Sequence, residues 1–455
     1  MKARKERKFL MVQQAPKKLK RFAFRNCAGE TWAEKKETLR QALQVAVALE
    51  FSTIPPYLVA LYSLKDKTSS AYQIIRSVAL EEMLHINLAC NLMNAIAVSA
   101  DKEGIRPKFH GEVDIYKLVD KNAPDKDKKL NLPIAYPDEL LRPILNGPRV
   151  QLMAASTELM RQTFMGIEQP LPETNENLGN GQEFDSIGQF YQAIEQLFEE
   201  LGEDVFTGNP NWQRTDFYFG SGGGKPIDIF SEDGVPPREP KKKLYQAKEA
   251  IKQIMQQGEG AIPPNTGYDK SQPYGTYNQY GLRSDGTYGP ILGTPYELSH
   301  YFKFKAIADG IVPLPSVYPM IPNPSQAKFE LAGNEDAKVL NEIFNLCYSL
   351  LVDALEDIFS EDNDSYFSVV VTLMQTVFPT LATQLMKTPM YKDGDDDLGP
   401  TAGPSFEYQD DTELGFINKK INRILNEASL SSSTKATLEV VKKAICDIVK
   451  CQEAS

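Results

Sequence analysis

The chain has 455 residues, 42% of them hydrophobic and 24% charged, with a net charge of −11. That is the composition of a globular protein, not of a disordered or fibrous one, and the negative charge argues against wholesale nucleic-acid binding. The length suggests one large domain with insertions, or two domains.

The first 25 residues, MKARKERKFLMVQQAPKKLKRFAFR, carry ten Lys or Arg and one acid. They lack the apolar core of a signal peptide and read as a solvated basic tail over 1–30, with an anionic docking arm as the alternative. Thr31 and Glu34 form a capping-box pattern ahead of the apolar run LRQALQVAVALEF, so a helix is expected over 31–64. Pro55-Pro56 should end or kink it. A second helix is expected over 69–96, a third over 148–165 and a fourth over 186–202, with a loop-rich, charged stretch at 97–147. Residues 203–293 are rich in Gly, Pro and Tyr and read as an insertion broken by a helix at 240–257. Its segment 265–290 reads as a surface loop or lid. Helical patterns return at 295–309, 335–360, 364–388, 413–428 and 432–450. Almost nothing alternates with period two. The fold class is therefore mainly α: a helix bundle over 31–310 and a C-terminal helical extension over 311–455.

No run reads as both long and apolar enough to span a bilayer; the best candidate, 41–64, contains Glu50 and two prolines. Cys27, Cys90, Cys347, Cys446 and Cys451 have no paired spacing and read as reduced thiols of a cytoplasmic protein.

The chemistry is concentrated in acids on apolar helical faces. In the second helix Ile75, Val78, Glu82, His85, Ala89, Leu92 and Ile96 step by three and four, so they share one face. An ionised carboxylate there costs on the order of several kcal/mol unless a cation or hydrogen bonds compensate. Glu50 sits the same way in VAVALEF. The chain has only three histidines, His85, His110 and His300. Two of them follow a glutamate by three residues, as Glu82-x-x-His85 and Glu297-x-x-His300. Glu195, between Tyr191 and Phe198, completes a set in which two helices give one Glu each and two give Glu-x-x-His. This is the di-metal carboxylate pattern of helix bundles. Carboxylates and imidazoles suit two divalent ions, iron first and manganese second.

Alternatives stand beside this. Glu297 also fits a capping-box acid after Thr294-Pro295, Glu195 a solvated surface acid, and Glu81 a substitute for Glu82. Arg40 and Arg76 are the competing partners for the buried acids, and His110 reads as a surface histidine. GSGGGKP at 220–226 lacks the hydroxyl residue of a phosphate loop, and DGDDD at 393–397 lacks calcium-loop spacing.

The stretches LEFSTIPPYLVALYSL (49–64), IIRSVALEEMLHINLACNLMNAI (74–96), IGQFYQAIE (187–195), QGEGA (257–261), ELSHYFKF (297–304) and AGPSFE (402–407) resemble the ferritin-like domain of iminophenylpyruvate dimer synthases. The size is also similar to that of standalone di-metal carboxylate halogenases. The resemblance implies a ferritin-like four-helix bundle with metal ligands at Glu50, Glu82, His85, Glu195, Glu297 and His300. It departs after the second helix, where AVSADKEG replaces a Gly-Gly-x-Pro turn, and the further domains of the bisindole synthases are missing. The expected activity is a dioxygen-dependent di-metal oxidoreductase that oxidises or halogenates a small organic substrate in secondary metabolism. That substrate is either free or attached to a carrier protein, and halide is a further expected partner. An oligomer is compatible with this reading. The alternatives are an iron-handling ferroxidase and a metal-free helical interaction module.

Overall fold

The computed structural model describes residues 30–97, 106–119, 122–133, 150–169, 184, 186–216, 224–259, 298–360, 365–394, 399–410 and 413–454. The basic tail up to residue 29, the expected lid at 265–290 and Glu297 lie outside the described residues.

Helix α1 (Trp32–Ser63) starts where its capping box places it. Thr31 Oγ1 accepts from Glu34 N at 3.3 Å, and Glu34 Oε2 accepts from Thr31 N at 2.9 Å. Contrary to one of the two outcomes expected, Pro55-Pro56 do not end it; the helix runs on to Ser63. Burial holds it: every residue from Gln41 to Ser63 is buried. Packing on all sides outweighs the lost backbone bonds. By length and composition α1 does qualify to cross a membrane, against the sequence reading, as does Tyr366–Lys387. The apolar window of α1 is wholly buried inside the protein, as an all-round apolar core helix requires.

Helix α2 (Ser70–Ile96) is capped by Ser69, whose hydroxyl accepts from Tyr72 N. After a short antiparallel pair, β1 (Gly111–Asp114) with β2 (Lys129–Leu132), comes α3. It starts as Thr157–Leu159, passes through a π turn at Met160–Phe164 and ends as Met165–Ile167. Then follow α4 (Ile187–Leu201), α5 (Lys242–Gln257) and α6 (His300–Ala308). Helix α1 packs on α2 and α4, α2 also on α5, and α4 on α5, closing a four-helix ring. The helix expected inside the insertion is thus itself a bundle helix. Helix α6 packs on α2 and α3.

The C-terminal helices are α7 (Gln326–Ala332), α8 (Glu335–Ser360), α9 (Ser365–Thr372), α10 (Phe378–Lys387), α11 (Leu414–Glu427) and α12 (Ser432–Ala454). A π turn, Leu373–Val377, joins α9 to α10. They pack on one another and meet the bundle through α10 against α1. The apolar core runs continuously through both parts.

Candidate metal centre

Helical spacing delivers most of the site. On α1, Glu50, Thr53 and Tyr57 step by three and four along one face. On α2, Glu81, Glu82 and His85 point into the same space. Helix α3 ends at Glu168, α4 supplies Tyr191, α5 ends at Gln257, and α6 opens with His300 and Lys303. Glu50, Glu81, Glu82, His85, Glu168, His300 and Lys303 are all buried, none more than 4% exposed.

Glu82 is the centre. Its Oε1 lies 2.8 Å from His300 Nδ1, and its Oε2 lies 3.8 Å from His85 Nδ1 and accepts from Thr53 Oγ1 at 3.0 Å. Glu50 Oε2 flanks His85 Nδ1 at 3.4 Å, and Glu168 Oε1 flanks His300 Nδ1 at 3.6 Å. A tyrosine hydroxyl donates to each flanking acid at 2.5 Å, Tyr191 to Glu50 and Tyr57 to Glu168. The outer ring nitrogens are held as well: His85 Nε2 by Gln257 Oε1 at 3.1 Å, His300 Nε2 by Glu81 Oε2 at 2.8 Å. Lys303 Nζ donates to the same Glu81 oxygen at 2.5 Å. The cluster therefore has two similar halves, each with an imidazole, a flanking acid and a tyrosine, joined by Glu82.

The electrostatics follow from burial among like charges. Burial drives the Glu50 carboxyl up to about 7, against the pull of His85. Burial disfavours charge on both histidines, yet the acids prevail, raising His85 to about 9 and His300 well above its ordinary value. Burial also opposes ionisation of Glu82, but the two imidazoles hold it well below the usual carboxylate range. Glu168 is raised by burial and by the charge of Glu82. Glu81 stays low despite burial because Lys303 and His300 face it. Protons on the imidazoles thus stand where cations would balance the acids.

The donor set fits divalent ions. One donor atom from each of Glu82, His85 and His300 falls within a 4.8 Å group. His300 Nδ1 is buried and points at the cluster, 2.8 Å from Glu82 Oε1 as an ion pair but outside hydrogen-bond geometry. The outer nitrogens held by Gln257 and Glu81 are the arrangement that fixes a ligating histidine's tautomer and ring orientation. A cavity of about 20 Å³ adjoins the cluster, bordered by Glu50, Glu82, His85 and Glu168 and, toward α4 and α5, by Tyr191 and Met255.

Of the six residues singled out by sequence, Glu50, Glu82, His85 and His300 meet here. Glu297 lies outside the described residues; among those described, α6 begins at His300 behind an extended Ser299. Glu195 does not reach the cluster. It is part exposed and pairs with Lys248 of α5 at 3.2 Å. The buried stripe of α4 centres roughly 100° around the helix from Glu195, and Tyr191, one turn earlier, takes the inward position. Glu81 does not replace Glu82 beside Nδ1; it holds the opposite nitrogen of His300. Neither competing arginine reaches the acids: Arg40 pairs with Glu37 at 2.7 Å and Arg76 is exposed. His110 is a part-exposed residue 2.7 Å from Glu356.

Sequence reasoning missed Glu168, although Met160, Phe164 and Glu168 step by four and repeat the signature of an acid on an apolar face. It missed Lys303, three residues after His300. It also missed Glu259, within the QGEGA block, which accepts from Gly188 N at the start of α4 at 2.7 Å. Burial raises the Glu259 carboxyl to about 8.

The family model described as ferritin-like matches residues 43–309. No curated protein matches the chain. Among solved structures, the chain is similar to a ferritin-like protein from Caulobacter vibrioides, with 19% identity and a TM-score of 0.44, over 82% of this chain and 98% of that one.

Proposed function

This chain belongs to the ferritin-like family, and from that premise we propose that it is a di-metal carboxylate oxidoreductase that uses dioxygen to oxidise a small organic substrate. The observation that carries the reading is Glu82, with one oxygen toward the Nδ1 of each histidine and a flanking acid beyond each. His85 and Glu50 would hold one ion, His300 and Glu168 the other, and Glu82 would offer an oxygen to both. Two iron ions, or manganese, would supply the electrons for dioxygen reduction.

The chain's own residues supply the setting. Tyr191 and Tyr57 keep protons one hydrogen bond from Glu50 and Glu168, because burial and the neighbouring acids raise both phenols well above their ordinary value. Gln257 and Glu81 orient the rings. The apolar walls around the cluster exclude bulk water. The blocks that resemble iminophenylpyruvate dimer synthases favour an aromatic or amino-acid-derived substrate of secondary metabolism. Halide use requires one ligand position to be free of an acid. Among the described residues the Nδ1 of each imidazole has two acids near it, which favours oxidation over halogenation.

The test is anaerobic titration with ferrous iron, followed by metal analysis and dioxygen uptake. Two ions per chain and dioxygen uptake that requires them are expected. Many ions per chain would instead make iron the substrate of a ferroxidase, and none would leave a metal-free helical module.

A further inference from the structure

On the far side of α2 lies a second cavity of about 490 Å³. Its walls include Leu58 and Leu61 of α1, Leu80 and Met83 of α2, and Val371 and Met374 from α9 and the π turn. No described residue lines both this cavity and the one among the carboxylates. We propose that this groove is a binding site for an amphipathic carboxylate, an anion with a hydrocarbon or aryl tail, seated with its carboxylate on Arg76.

Four observations carry it. The volume lies within the range of small-molecule sites, roughly 300–1,000 Å³. The lining is largely apolar and includes Met83 and Met374, unbranched side chains that adapt to varied tails. Among the described residues Arg76 is the one charged residue in the lining, and none of those lining the groove is Asp or Glu. Arg76 is exposed at the groove, beside Tyr72, and its planar donor fork suits a carboxylate. Finally, one wall is a π turn, a feature that recurs at functional sites. The helix carrying it is only half buried along its apolar window, so apolar surface remains for a tail to cover. An anion complements this site; a cation or a neutral hydrocarbon leaves Arg76 unmatched. The inference does not depend on metal at the carboxylate cluster.

Calorimetric titration of the full chain with dodecanoate, below its micelle concentration, tests it. One equivalent per chain is expected. Arg76→Ala should weaken dodecanoate about tenfold while leaving the weaker affinity for dodecanol unchanged. Val371→Trp should block both; Met374→Trp serves if Val371→Trp fails to fold. Equal dodecanoate binding by Arg76→Ala and wild type overturns the proposal, as does binding of many equivalents or none. Two further outcomes also overturn it: a dimer that Val371→Trp dissociates, assigning the groove to a second copy, and flotation with neutral phosphatidylcholine vesicles, assigning it to a membrane.

Discussion

His85 and His300 face one another across Glu82, their ring centroids 5.4 Å apart and inclined by 26°, each with Nδ1 turned to the acids and Nε2 held from outside. Two helices from distant parts of the chain thus present equivalent nitrogens to one carboxylate. That relationship generates most of the tests below.

Glu82 serves both halves and each histidine serves one. Glu82→Ala should therefore lose both ions, while His85→Ala and His300→Ala should each lose one of two. Glu168→Ala should cost an ion, and Glu195→Ala should leave the metal content unchanged. Elemental analysis after anaerobic loading decides. An intact metal content in Glu168→Ala together with loss in Glu195→Ala would reverse the assignment made here.

Lys303 is fully buried and its ammonium neutralises Glu81. Removing one partner of a buried pair leaves an uncompensated charge, costing about 3–5 kcal/mol. Lys303→Met should destabilise by that order in denaturant unfolding, and Lys303→Met with Glu81→Gln should recover much of the loss. Additive losses in the double variant would show that the two side chains do not act as a pair.

The metal-free protein should lose stability as pH rises. His85 is raised to about 9, so its stabilisation is full below its unfolded value near 6.5 and disappears as pH passes through 9. Glu50 and Glu259, raised by burial to about 7 and about 8, keep protons that the unfolded chain releases near 4.5. Each therefore also lowers stability as pH rises, over 4.5 to 7 and 4.5 to 8. Thermal midpoints of the metal-free protein should fall steadily from pH 5 to 9. Metal loading should release protons and strengthen with pH over the same range, read as a buffer-dependent heat. A flat midpoint profile would contradict the protonation states described.

On the proposed assignment the tyrosines would act through Glu50 and Glu168, to which they donate, and not as ligands themselves. Tyr57→Phe and Tyr191→Phe should each keep two ions but weaken metal affinity about 10- to 100-fold, as loss of an outer hydrogen bond does. Competition with a chelator measures it. Complete loss of one ion in either variant would make the phenol itself a ligand.

Gly188 admits Glu259 to the start of α4. A Cβ there would overlap Glu259 Oε2. Gly188→Ala should cost about 1–3 kcal/mol through forced repacking and should push Glu259 out of its hydrogen bond with the Gly188 amide. Chemical denaturation of the variant beside Gly188→Ala/Glu259→Ala checks this, since the smaller side chain should relieve most of the penalty.

Local patterning in the chain determined a helical protein and much of its centre. The capping box before Trp32, the three-and-four stepping on α2, and acids set among apolar neighbours are short-range signals. The stepping on α2 places Glu82 and His85 on one face, while Glu50 is marked by its apolar neighbours in a helix buried on every side. Tertiary packing decided the rest. Tyr191 belongs to the buried stripe of α4 and Glu195 flanks it, and the docking of α4 against α1 and α5 set the tyrosine on Glu50 and left the acid to Lys248. Glu168 and His300 sit at helix ends, where periodicity stops carrying information, and the fold alone brings those two ends to Glu82. The pairing of Lys303 with Glu81 spans more than two hundred residues. No local rule encodes it, because the energy that fixes it exists only once both groups leave water together.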